Sequence, residues 1–465
     1  MATAGSAKFL SGSLMRHVSV MSFTASIGLM AIFAVDFVDM VFISMLGNDA
    51  LAAAVGYAGT LLFFTNAINI GLSIAAGSLV ARSVGAGKDT EAREHATSVA
   101  MFGVVTGLLV PVLVLWNLAF LLGLLGAEGE VARLASRYIW IILPSMPAMA
   151  IAMTAMAVLR AHGESRRPMF ATLIGGGVNA VLDPLFIFAL GFGLDGAAMA
   201  SVLARVTMLV AALWPVIRVY AGMAAPGIRL LIRDFRAVSA IAVPAVLTNI
   251  ATPVGSAVVV REMARFGTEA VAGMAVVGRL TPMAFAVIFA LSGAIGPIIG
   301  QNFGAQHFDR VRGAFLAGVK FIALYVIAAT VILFTLRAPI AGLFEAEGLT
   351  RSLIYLFCGP LALASFFNGV SFVGNASFNN LGHPIYSTWI NWGRHTLGTW
   401  PLVLAGAALA GAPGILIGQA LGGVFFAALS WLLAERVMRN LDTPKPPEPF
   451  TGHRRFHTLF GGGRW

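Results

Sequence analysis

The sequence predicts an all-α polytopic membrane protein with twelve spans in two six-helix lobes, related by a pseudo-two-fold axis along the membrane normal. Three observations predict it. Only 11% of the 465 residues are charged and mean hydropathy is +0.88, whereas a soluble protein of this size needs far more polar surface. The runs between His17 and Asp36 and between Phe102 and Glu128 contain no charge, and roughly 20 apolar residues suffice to cross the hydrocarbon core. The chain also aligns with itself at an offset of about 219 residues, as expected for a duplicated transporter fold.

Loop signals place the spans near 18–46, 51–82, 97–125, 134–160, 168–190, 197–221, 238–264, 271–301, 314–336, 351–379, 385–409 and 414–438. Basic residues sort by side. Twenty-one of 30 fall at the N-terminus, in or near the loops after spans 2, 4, 6 and 8, or in the C-terminal region. Only six lie on the opposite side (Arg133, Arg137, Arg261, Arg265, Arg337 and Arg351). Positive loops stay cytoplasmic, so both termini are expected inside, in a multi-pass protein of the cell inner (plasma) membrane. The net charge of +10 is then a topology signal with some affinity for anionic headgroups. The bilayer is the expected partner and nucleic acid is not.

The expected domains are a cytoplasmic N-terminus (1–17), an N-lobe (18–221), a basic linker (222–236), a C-lobe (237–440) and a tail (441–465). The stretch Ile228 to Phe235 in the linker reads as a short interfacial helix. The tail, with Pro444, Pro446, Pro447 and Pro449 ahead of a glycine run, reads as disordered and cytoplasmic. No removable signal peptide is expected. Six spans per lobe is an even number, so the repeats enter the membrane in the same orientation. Their matches are Gly77 to Gly87 with Gly296 to Gln306, Gly47 to Ala52 with Gly267 to Ala272, and Pro184 with Pro401.

Asp36, Asp39 and Asp183 are the acids that interrupt apolar stretches. A carboxylate held within a bilayer is costly and marks an ion or proton pathway. Asp39 precedes the loop residue Gly47 by eight positions, Asp183 precedes Gly191 by eight, and Ser201 follows Gly196 by five. At 1.5 Å per residue all three sit about 8–12 Å below one membrane face. Asn179 shares the helix face of Asp183. Pro184 cannot bond the carbonyl of Ala180 and loosens the helix beside the carboxylate. Asp39, Asn179, Asp183 and Ser201 therefore offer the oxygen ligands a hard cation such as Na+ wants, and the same acids could carry H+. Asp36, one turn from Asp39, either shares a proton with it or pairs with an arginine.

Arg205, Arg279 and Arg394 fall inside spans, where they either neutralise acids, line a polar cavity or snorkel. His395, beside Arg394, reads as a packed interhelical hydrogen-bonding group. The lone Cys358 excludes an internal disulfide and reads as a small core residue. Motifs of zinc hydrolases, serine hydrolases and phosphate-binding loops are absent. No enzyme activity and no cofactor is expected beyond a coupling ion, H+ or Na+.

The segments Phe37 to Gly47, Leu159 to Glu164, and Asn179 to Phe188 running into Gly191 to Ala198 resemble the multidrug and toxic compound extrusion (MATE) transporters, of the DinF-type branch. The resemblance covers about residues 14–440. It implies a V-shaped, monomeric, twelve-helix structure. It assigns Asp39 as the acid of span 1, Asn179 and Asp183 as the span-5 pair, Ser201 at a position where relatives often carry threonine, and Arg279 as an arginine common in span 8. It implies inward Na+ or H+ movement coupled to export of drug-like cations by alternating access. The chain departs from the family in two places. Span 10 has no acid, unlike the NorM-type branch, and no proline precedes Pro111, whereas many relatives bend span 1 at a proline. The expected function is antiport of lipophilic or cationic compounds. The alternative is a flippase or exporter for a lipid-linked or specialised metabolite, which would want a cationic cavity.

Overall fold

The structure is a computed structural model that describes residues 7–441. The expected tail lies outside the described residues apart from Leu441. Eleven helical stretches among the described residues are long and apolar enough to cross a membrane. They are α1 (Leu14–Ser44), α2 (Asp49–Gly85), α3 (Asp89–Trp116), α4 (Gly129–Ala161), α5 (Arg166–Ala189), α6 (Leu194–Arg218), α7 (Ile228–Ala264), α8 (Ala286–Gly304), α9 (Phe308–Leu343), α10 (Gly348–Asn380) and Pro384–Arg439. The last spans 56 residues but breaks at Ala410 and Gly411, where Gly411 takes φ +64° and Pro413 follows. It is therefore α11 (384–409) and α12 (412–439), which completes the twelve expected spans.

Three boundaries differ from expectation for visible reasons. Helix α3 stops at Trp116, and a separate short helix covers Leu118–Leu124. Between them Asn117 turns its side-chain amide onto the Leu113 carbonyl at 3.0 Å, competing with the backbone ladder. Span 8 has two pieces, Thr268–Ala284 and α8, which meet at Phe285 three residues after Pro282. The expected interfacial helix Ile228 to Phe235 does not stand alone, since it is the first part of continuous α7. Ser98 pins it by donating to the carbonyl of Leu230 at 3.3 Å and to Asp234 at 2.6 Å. Ile228, Ile232 and Phe235 stay exposed on that segment, with Arg229, Arg233 and Arg236 between them, which retains an interfacial character.

Helix α1 bridges the lobes. Val18 and Met21, in its first half, lie in the same core as Phe315, Ile322 and Val373 of the C-lobe, and Phe23 packs edge-on against Phe321. Its second half turns to α5: a Cβ on Gly28 would touch Thr172, and one on Gly176 would touch Val35. The N-lobe has its own core clusters, one of them around Ile139, Leu143 and Ala198.

On the face that carries the N-terminus and most basic loops, the lobes are sealed. Phe9 is buried in the C-lobe core. Its backbone N–H donates to Gln301 Oε1 at 2.9 Å, while Gln301 Nε2 donates to the Ala161 carbonyl at 2.7 Å. Arg310 donates to the carbonyls of Phe9 and Gly12. Lys8 pairs with Glu164 at 2.7 Å. Backbones of α2 and α8 touch here: a Cβ on Gly85 would overlap the carbonyl of Gln301, and one on Gly304 would overlap that of Arg82.

Candidate functional site

The acid site forms where α1 meets α5. Asn179 is the hub: its Nδ2 donates to both carboxylate oxygens of Asp39 at 3.1 Å and to Asp183 Oδ2 at 2.5 Å. Asp183 is fully buried and Asn179 nearly so. The carboxyl groups of Asp39 and Asp183 come within reach of a shared hydrogen bond. Two carboxylates this close do not both remain charged without compensation, which a shared proton or a cation would supply. Oδ1 of Asp183 is buried and receives no N–H donor among the described residues. That orphaned oxygen, with the oxygens of Asp39 and Asn179, suits a hard monovalent ion or a proton.

Local backbone chemistry explains the placement. Helix α5 is α-helical to Pro184 and then a π-helix from Leu185 to Ala189. A proline removes one ladder bond, and π-turns concentrate at functional sites. The N-terminus of α6 seats against this bulge at Gly196, where a Cβ would overlap the Phe186 carbonyl. Ser201 does not bond the trio. It faces Tyr138 of α4, which also lies near Arg205 and within the field of Asp39 and Asp183. Tyr138 went unremarked in the sequence. Its position nine residues into α4, roughly 13 Å along the helix, is the depth signal that could have found it.

The remaining candidates sit elsewhere. Asp36 is exposed and makes no ion pair among the described residues, so the arginine pairing does not form. Arg205 donates to the Ile142 carbonyl at 3.3 Å and to Ser145 Oγ at 3.0 Å rather than to an acid. Backbone and hydroxyl acceptors satisfy it without charge neutralisation. Arg394 donates to Asn368 Oδ1, again without an acid, because α10 supplies an amide there. Arg279 is exposed. His395 is buried with no hydrogen bond on Nδ1 among the described residues, and it packs where a Cβ on Gly255 would collide with its ring. Its fit is steric, through a glycine, and not the expected hydrogen bond. Cys358 is fully buried.

A cavity of about 440 Å³ lies between the lobes, within the size range of sites for drug-sized molecules. The N-lobe contributes Met21, Met153, Met156, Met169 and Arg160; the C-lobe contributes Asn249, Asn375, Asn379, Asn380, Asn391 and the pair Phe289 and Phe372. Among the described residues no carboxylate lines it, nor do Arg205, Arg279 or Arg394. The sequence did not mark these residues.

Comparison with known proteins identifies the family. The MatE family model matches residues 25–185 and again 244–399, one match in each lobe. A FAD transporter of Shewanella oneidensis is 27% identical over 92% of this chain and 96% of its own length. The multidrug export protein MepA of Staphylococcus aureus (strain N315) is 25% identical over 71% of this chain and 74% of its own. A mutant form of the Vibrio cholerae MATE transporter VcmN superposes with a TM-score of 0.87 at 25% identity, covering 92% of this chain and 97% of that one. With both lobes matched by the family model and the twelve-helix architecture shared, this chain belongs to the MATE family of transporters.

Proposed function

We propose that the chain is an ion-coupled exporter of amphipathic, drug-sized organic molecules, driven by H+ or Na+ held at Asp39, Asn179 and Asp183. The observation that carries this reading is the Asn179 amide joining two intramembrane carboxylates on different helices. When the acids share an ion, α1 is drawn to α5; when the ion leaves, two adjacent charges repel. Because the first half of α1 is rooted in the C-lobe core, that change reaches the contact between lobes. Different ion affinities in two lobe arrangements are what let a gradient drive the cycle. The basic face is read as cytoplasmic, so the sealed floor corresponds to an outward-facing arrangement.

Similarity to a multidrug export protein supports drug-like substrates, organic cations among them. Similarity to a FAD transporter supports a second reading, export of a specialised metabolite. The absence of carboxylates from the cavity wall among the described residues favours that second reading for the substrate, with the ion site unchanged. The test is efflux from proteoliposomes of a fluorescent lipophilic cation and of a flavin nucleotide. Na+ and pH gradients are imposed separately, with Asp39→Asn as control. Export of either substrate under one gradient, lost in the variant, is the expected result. Export that persists in Asp39→Asn would sink the coupling assignment.

A further inference from the structure

The central cavity holds a cation that the ion-coupling site does not use. Arg160 lies in the last turn of α4 and lines the cavity. Among the described residues its guanidinium makes no ion pair and no hydrogen bond. The nearby loop acid Glu164 is engaged by Lys8 instead. The carbonyl end of α4 offers it partial compensation, yet an arginine cannot shed its charge and leaves five donors to satisfy.

The opposite wall adds two spare donors, beside acceptor oxygens of Asn249 and Asn380 that are unused among the described residues. Asn375 accepts from Asn391 Nδ2 through Oδ1 at 3.1 Å, so its own Nδ2 is left for the cavity. Asn379 accepts from Ser387 through Oδ1 at 3.4 Å, and its backbone carbonyl is taken by Ser78. Its Nδ2 is likewise left over. An always-charged guanidinium and amide N–H groups around one space, with no carboxylate, match a phosphate or carboxylate group. Phe289 and Phe372, with ring centroids 5.6 Å apart, and the methionine wall match a flat apolar body.

We propose that Arg160, with Asn375 and Asn379, forms an anion subsite in the substrate cavity, and that the transported molecule is a planar aromatic carrying a phosphate or similar anionic group. This rests on the exporter reading for its biological use but not for its test. The anion could belong to a free solute or to a lipid headgroup, and the experiment separates them.

Riboflavin and flavin mononucleotide share one ring system and differ by a phosphate. Binding of each to the purified full chain in neutral detergent, read by flavin fluorescence anisotropy, measures the subsite without any gradient. A charge-assisted hydrogen-bond pair predicts that the phosphorylated flavin binds at least about tenfold more tightly. Arg160→Gln should collapse that ratio toward one, and Arg160→Lys, which keeps the charge but loses the fork, should give an intermediate ratio. Thermal unfolding of both variants checks that they fold. Equal binding of the two flavins, binding of neither, or a preference that survives in folded Arg160→Gln would each overturn the proposal. If added phosphatidylglycerol displaces the phosphorylated flavin from the wild type, the subsite accepts lipid phosphate; if it does not, the free anion is the ligand. Failure of ion-driven export with the preference intact would remove the coupling reading and leave the subsite standing.

Discussion

The two lobes share a fold and divide the chemistry. In the N-lobe, Asp39, Asn179 and Asp183 meet through one amide. The repeat offsets carry these positions onto Val259, Thr396 and Trp400 of the C-lobe, where no acid stands. The C-lobe has instead a π-turn at Arg394–Gly398, eight residues ahead of the position equivalent to the π-turn after Asp183, and it places Arg394 on Asn368 there. Both lobes interrupt this helix with a π-turn, at different levels, and the charge beside it is a carboxylate in one and a guanidinium in the other. On the proposed reading, a helix break is permissive, and the side chains beside it decide whether it handles an ion.

Breaking the N-lobe side gives the largest effect. Asp39→Asn or Asp183→Asn should lower gradient-driven efflux by about two orders of magnitude, the scale of a few kcal/mol withdrawn from an ion-binding equilibrium. Proteoliposome efflux measures it, and the double variant should be no worse than either single one if the acids act as one unit. Unaltered efflux in both single variants would dissolve the contrast between lobes.

Transplanting the charge comes next. Val259→Asp puts a carboxyl at the repeat partner of Asp39, at a fully buried position with no amide hub. Burying an unpaired carboxyl should cost about 3 kcal/mol or more, read as a lower thermal midpoint without any gain of ion dependence. A stable variant with a second ion-dependent step would show that the C-lobe scaffold was already competent.

Arg394→Gln should be milder. It removes a charged hydrogen bond to Asn368, worth about 1.5–3 kcal/mol in stability, and should leave the choice of driving ion unchanged. Loss of ion dependence in a folded Arg394→Gln protein would mean the C-lobe takes part in coupling.

The smallest effect lies in the seal. Burial alone would raise the carboxyl of Glu164, but hydrogen bonds from Lys8 and Tyr220 and the charges of Lys8 and Arg167 outweigh it and hold it below the usual range. A depressed acid contributes stability above its unfolded pKa and loses it as pH falls through its folded pKa. Glu164→Gln should therefore cost about half a kcal/mol at neutral pH, as exposed pairs do. The gap between the melting curves of wild type and variant should close in acid below the ordinary glutamate range. A gap that widens in acid would contradict the ion pair.

Much of this was legible in the sequence. The spans followed from charge-free runs and loop glycines, and the α5 break followed from Pro184. Asp39, Asn179 and Asp183 could be grouped because depth along a helix is arithmetic. Arg205, Arg279 and Arg394 show the limit: their positions within spans were readable, but their partners were not, since those are carbonyls and amides of other helices. Arg160 looked like a loop-side charge and faces the cavity, because orientation around a helix is set by packing. Phe9 and Gln301 gave no signal either, as a contact between residues so distant in the chain exists only after the lobes close. His395 was readable as buried, but the glycine that makes room for it was not.

Gly85 and Gly304 sit at equivalent positions of the repeat, and each lies against a carbonyl of the other lobe. A surface that meets its own duplicate in this reciprocal way has the geometry of a homodimer interface. The floor thus repeats one contact twice, once from each lobe. A single added methyl group at either glycine would act as a doorstop for the whole molecule while touching neither ion nor substrate. Surveys of variants that weigh only ligand-binding residues would pass over it.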